Sequence, residues 1–165
     1  MTATGAREAV LVTSRAETDI LGKKTERENI VTIAWHMPVS YDPLMFAIAL
    51  SNKRFSHKLI SKSKVFAINF MPASFKKQIL FCGKNSGELV DKFGKTGLTK
   101  EESEKIDCPR INEAIAFLEC EVVEEFNAGD HVVFVGKVLN SGQKKKAKRL
   151  YHLGGDKFIS TKENM

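Results

Sequence analysis

Apolar residues fall in short runs separated by turn-forming residues: 8–13 (EAVLVT), 29–36 (NIVTIAWH), 44–51 (LMFAIALS), 65–71 (VFAINFM), 115–126, 131–139 (HVVFVGKVL) and 157–160. Richness in Val, Ile and Phe between turn residues predicts strands. Several runs are apolar on both faces, which suits strands with a core on one side and a helix or second subunit on the other. Residues 115–126 alternate more cleanly. Leu118, Cys120 and Val122 share one face and Glu119 and Glu121 the other, so Cys120 reads as an inert core residue. Helical signals are fewer. One helix is expected over 56–63, with Ser56 as cap and Leu59 and Ile60 inward. Another is expected over 74–82, after Pro72, with Ser74 as cap. Short helical turns fit 86–93 and 99–105, and 94–110 reads as an excursion carrying Gly94, Gly97, four acids and Cys108-Pro109. Strands outnumber helices without a regular βαβ rhythm. The pattern therefore predicts a mainly β protein, a β-barrel with inserted helices, over a doubly wound sheet.

Length and composition narrow the class. A chain of 165 residues is about one domain, expected to span 1–165. With 42% hydrophobic and 28% charged residues, disorder and collagen are excluded. The 3 cysteines, Cys82, Cys108 and Cys120, are odd in number and widely spaced, which argues against a disulfide scaffold and for a reducing compartment. The richest apolar run, Leu44 to Leu50, is far short of a membrane span, and Arg7, Glu8 and Arg15 break up any signal-peptide core. A cytoplasmic location is expected. The net charge of +6 is carried by 137–149 alone, through Lys137, Lys144, Lys145, Lys146, Lys148 and Arg149 without an acid. This run reads as a solvated hairpin turn around Asn140-Ser141-Gly142. Nucleic-acid binding is the alternative, but the run lacks the interleaved aromatics of single-strand binders.

Several catalytic signatures are missing. No G-x-G-x-x-G occurs. Gly94-Lys95-Thr96 imitates the end of a phosphate loop, but Leu89 stands where the first glycine belongs. Gly83 to Gly87 puts Asn85 where a hydrolase elbow needs serine. The histidines, His36, His57, His131 and His152, lack metal-ligand spacing, so no metal is expected. No acidic pair offers general acid–base chemistry. If the chain is an enzyme, a cofactor carries the reaction.

Two segments offer a place for one. In 29–36, Thr32, Ala34 and His36 share a strand face, after Ile30, and the small side chains leave room for a flat ring over the main chain. Packing against a helix is the plainer reading. In 50–57 an apolar strand ends in Ser51, Asn52 and Arg54 and opens a helix, an arrangement that binds phosphate. An ordinary helix cap with solvated bases is the alternative there.

These segments, together with Asp91-Lys92-Phe93, Gly129-Asp130-His131 and 150–158 (LYHLGGDKF), resemble the flavin reductase-like family over about residues 8–160. The flavoredoxin branch is the closest fit. The resemblance implies an FMN-binding split β-barrel of Greek-key type, working as a homodimer. It implies NAD(P)H-dependent reduction of flavin or ferric complexes by hydride transfer through FMN, with no catalytic side chain. Carried over by position, Asn29, Thr32, Ala34 and Trp35 would contact the isoalloxazine and ribityl chain. Ser51, Asn52 and Arg54 would hold the phosphate, and Lys92 would approach flavin or phosphate from a loop. His57 and Phe93 are weaker candidates. The electron donor would be NADH or NADPH. Alternatively, the chain is a flavoredoxin-type carrier fed by a redox protein docked on the basic turn 144–149. A pyridoxamine-phosphate-oxidase-like member shares the barrel, but no motif here speaks for its substrate. Tyr41-Asp42-Pro43 departs from the family pattern and leaves the substrate open. Cys108, beside Pro109 in a polar loop, is a candidate exposed redox thiol.

Overall fold

The computed structural model describes residues 5–165. Among the described residues twelve strands occur in chain order: β1 Arg7–Glu8, β2 Val10–Ile20, β3 Lys23–Ile33, β4 His36–Tyr41, β5 Leu44–Ser51, β6 Val65–Phe70, β7 Lys100–Glu102, β8 Pro109–Ile111, β9 Ala116–Ala128, β10 His131–Gln143, β11 Leu150–Gly154 and β12 Lys157–Ser160. The helices are α1 Phe55–Ser63, α2 Lys76–Lys84 and α3 Lys92–Thr96, with a 3-10 turn at Ala73–Phe75. The protein is therefore mainly β. A seven-stranded antiparallel sheet runs in the order β3-β2-β6-β9-β10-β5-β4, beside the small sheets β1-β11-β12 and β7-β8. No helix among the described residues is long and apolar enough to cross a membrane.

Strand alternation builds two cores. On β2, Val10 and Val12 enter one with Ile48, Ile60, Phe66, Cys120 and Phe134. Ala9 and Leu11 enter the other with Ile79, Cys82 and Phe93 from α2 and α3. The same alternation sends Val31 and Ile33 to the first and Ile30 to the second. The β2–β3 ribbon is thus covered on both faces near its base, which explains the double-sided apolar pattern there.

Several sequence expectations need correcting. The β2–β3 hairpin runs on to Ile20↔Lys23, far past 8–13, because its outer half pairs polar residues across strands, such as Arg15 with Glu28. The strand expected over 29–36 ends at Ile33, and His36 opens β4. No turn exists at 140–142: Asn140, Ser141 and Gly142 pair with Glu119, Leu118 and Phe117. Gly142 serves a close approach instead, since a Cβ there would lie 2.7 Å from the Phe117 ring. The β9–β10 turn is Gly129-Asp130, with Gly129 at φ 65°. The basic run is only partly free: Lys144 pairs with Glu101, and Arg149 Nη1 lies 2.9 Å from Glu8.

Neither expected helix cap forms. Arg54 precedes α1 without a side-chain cap bond, while Ser56 is buried and its Oγ accepts from Asn29 Nδ2 at 2.8 Å. Ser74 sits in the 3-10 turn, and α2 starts at Lys76 without a side-chain cap bond. Of 86–93 only its last two residues are helical, in α3, where Asp91 Oδ1 accepts from Gly94 N at 3.2 Å. Residues 100–102 form β7, not a helical turn. Cys108 is fully buried, and that burial pushes its thiol up to about 12, so it is no exposed redox thiol. Cys120 is in the core as its alternation implied. Glu119 is buried too. Its carboxylate accepts from Glu104 N at 3.1 Å and Lys105 N at 2.8 Å and faces Arg110 at 3.0 Å, fastening the 94–110 excursion to the sheet.

Candidate functional site

The edge where β3 and β5 end opens into a cavity of about 680 Å³, within the size range of small-molecule sites. One wall is the end of β3 and the link after it: Thr32, Ile33, Ala34 and Trp35. The second is the end of β5, Leu50 and Ser51, continuing to Lys53 and Arg54 before α1. The third is the α2 face Ile79, Leu80 and Gly83. His131 at the start of β10, with His152 and Phe158 from β11 and β12, completes it. A smaller cavity of about 70 Å³ adjoins it. Asn29, Asn85, Gly87 and Lys92 line the smaller one, and Val31, Lys53 and Arg54 line both.

Of the residues singled out from sequence, Thr32, Ala34, Trp35, Ser51 and Arg54 meet at the larger cavity, and Asn29 and Lys92 meet Arg54 at the smaller one. Asn52 is exposed and lines neither. His57 and Phe93 also lie elsewhere: the His57 ring packs 5.8 Å from Phe134, and Phe93 is buried beneath Lys100. Sequence reasoning gave no role to Gly83, His131, His152 or Phe158. The last three lie in motifs that carried the family resemblance, and that was their available signal.

The plainer reading of 29–36 holds in part, whereas no side-chain cap forms at the start of α1. Thr32 does pack on a helix, since its hydroxyl donates to the Ile79 carbonyl at 2.5 Å. Lys92 is buried and donates from Nζ to the Ile30 and Cys82 carbonyls, at 2.6 and 2.8 Å. Burial holds it down at about 8, Cys82 opposes that shift, and the nearby Arg54 charge adds to it. Arg54 donates from Nη1 to Gly83 O at 3.0 Å, which ties the α1 start to α2.

The residues present fit a flavin mononucleotide. No acid lies in the first turn of α1, and no acid lines the smaller cavity. Lys53 and Arg54 beside the α1 N-terminus therefore form a cationic edge suited to a phosphate. The larger cavity has one lining carboxylate, Asp156, already paired with Lys84 at 2.7 Å. Its other walls are apolar enough for a planar ring. Asn29 Oδ1 is buried without a partner, and a Cβ on Gly87 would lie 2.0 Å from it, so the backbone comes close there because glycine has no side chain.

This fold has known counterparts. The description "Flavin reductase like domain" matches residues 4–159, so the chain belongs to that family. An uncharacterised protein of Archaeoglobus fulgidus is 36% identical over 115 residues, covering 70% of this chain and 65% of the relative. The chain thus spans just under two thirds of that relative's length. The NAD(P)H ferric-chelate reductase of the same organism is 25% identical over 116 residues, covering 67% of this chain and 68% of the relative. The crystal structure of an FMN-binding protein from Thermus thermophilus with bound 1-cyclohex-2-enone has a TM-score of 0.84 at 25% identity, covering 97% of this chain and 89% of that one.

Proposed function

We propose that the chain holds FMN in the 680 Å³ cavity and uses NADH or NADPH to reduce small acceptors: flavins, ferric complexes and conjugated carbonyl compounds. The observation that carries this reading is the Lys53–Arg54 edge at the α1 N-terminus, opening onto a cavity walled by the end of β3 and the α2 face. The ferric-chelate reductase among the relatives and the enone bound by the Thermus protein support the acceptor classes.

FMN supplies hydride chemistry when bound; the chain's own residues bind and orient. Arg54 and Lys53 meet the phosphate, with Ser51 at the strand end. Trp35 and Ala34 border the ring, and Leu50, Ile79 and Leu80 exclude water beside it. The seven-stranded sheet is the split barrel of this reading, with Greek-key connections. A second copy covers its β4 edge, where Met37, Val39 and Tyr41 stand exposed around a bulge between Pro38 and Ser40.

The test is turnover. Steady-state oxidation of NADH and NADPH is measured with a ferric complex as acceptor. Turnover with either nucleotide supports the reading. A yellow chain that oxidises neither, yet takes electrons from an acidic redox protein, supports the carrier reading. That second reading is favoured by the exposed Lys145, Lys146 and Lys148.

A further inference from the structure

The turn between β9 and β10 places a carboxylate–imidazole pair at the mouth of the larger cavity. His131 lines the cavity, and its Nδ1 lies 2.7 Å from Asp130 Oδ1. Trp35 covers the imidazole, with ring centroids 4.6 Å apart and planes at 30°. A carboxylate only accepts, and the His131 contact holds Asp130 below its usual range, so Nδ1 carries the hydrogen. The tautomer is thereby fixed. Nε2 is left for a ligand: bare in neutral imidazole, a proton donor in imidazolium. Among the described residues, Nε2 has no hydrogen-bond partner. The groups around the ring are few. Its strand partners, Ala128 on β9 and Ser51 on β5, are uncharged. Besides His131, the charged or titratable groups lining the cavity are Lys53, Arg54, Lys84, His152 and Asp156. Nothing in the flavin-holding role uses this pair.

We propose that His131 is the proton donor to the carbonyl oxygen of conjugated carbonyl acceptors, with Asp130 and Trp35 as its positioning residues. This rests on the flavin reading above. The electron pair arrives as hydride from reduced flavin, renewed by NAD(P)H, and forms a C–H bond at the carbon β to the carbonyl. The C=C pair shifts toward the carbonyl, and its oxygen takes the proton as the Nε2–H bond breaks. The enol returns to the ketone, and water reprotonates the imidazole. The C=C is reduced and NAD(P)H is oxidised. A ferric complex accepts electrons alone and needs no such proton.

The test compares cyclohex-2-enone with ferric EDTA as acceptors in the FMN-loaded chain, and reads the pair separately in the flavin-free chain. Trp35 is the single tryptophan, and imidazolium quenches indole emission, so emission reports His131 protonation without any turnover. Emission should rise with pH in the wild type and stay flat in His131→Asn. The enone-to-ferric rate ratio should fall through the same pH interval. At pH 7, His131→Asn and His131→Gln should each lower that ratio on the order of 100-fold, the usual scale of acid–base assistance. Asp130→Asn, which removes the carboxylate facing Nδ1 of the imidazolium, should lower it as well. An unchanged ratio in both His131 variants, with the two rates falling together, would make His131 a wall of the binding site and overturn the proposal. So would a wild-type chain that reduces ferric EDTA with NAD(P)H but not the enone. A chain that takes up no FMN overturns the flavin reading itself, and the proposal with it.

Discussion

Arg54 joins three structures at one point: the end of β5, the start of α1 and the Gly83 carbonyl of α2. Its charge faces both cavities. A charge-assisted bond contributes about 1.5–3 kcal/mol, so Arg54→Ala should weaken FMN binding about 10- to 100-fold. Titration of flavin fluorescence checks this, and an unchanged affinity would remove Arg54 from the phosphate site. Lys92 behaves differently because it is buried on two carbonyls and held at about 8. An unfolded lysine titrates near 10.4. Between about pH 8 and 10.4 the unfolded chain therefore binds more protons than the native one, and stability rises with pH from this residue. Urea midpoints at pH 8 and pH 10 should show that gain in the wild type relative to Lys92→Met; equal shifts would contradict it. At this scale much of the site was legible. Thr32, Ala34, Trp35, Ser51 and Arg54 do converge. Lys92 lines the smaller cavity, but its carbonyl contacts come from β3 and α2, which no local pattern shows. Asn52 fits the motif and still points elsewhere, because a turn can present any of its residues.

Elements with one buried face were easier to read than those held by polar pairing. Strand β6, apolar but for Asn69, and β5 were found at their true places, but the outer β2–β3 ribbon was missed. So were β4, which is largely exposed, and β11, which is only 5 residues long. The 94–110 excursion was recognised, yet its attachment was not, because it depends on a glutamate that alternation assigned to the outer face. Glu119 takes two backbone N–H bonds from the excursion and faces Arg110, whose guanidinium lies 3.9 Å from the Phe117 ring centroid. Removing one partner of a buried ion pair costs about 3–5 kcal/mol. Glu119→Leu should destabilise by that amount in urea unfolding, whereas a cost under ~1 kcal/mol would show a solvent-screened contact. Phe134, fully buried in the first core, should cost about 3–5 kcal/mol when cut to alanine.

For the molecule as a whole, the three cysteines act together as buried apolar groups. Burial pushes Cys82 up to about 11 and Cys108 and Cys120 up to about 12. Unfolded thiols titrate near 8.5. Their stabilising contribution is complete below that pH and is lost as pH climbs through 11 to 12. A thiol reagent at pH 8 should find no reactive cysteine in the native chain and all 3 in urea. The exposed β4 edge makes a second prediction at this scale. Sedimentation should show a dimer, and Val39→Lys should shift it toward monomer; a wild-type monomer would leave that edge without its partner. The central claim is the flavin itself. The most direct measurement is the visible spectrum of the purified chain, with the released cofactor identified by mass. About one FMN per chain, as expected for one such cavity, is the predicted result. A colourless chain that also takes up no added FMN would contradict the account.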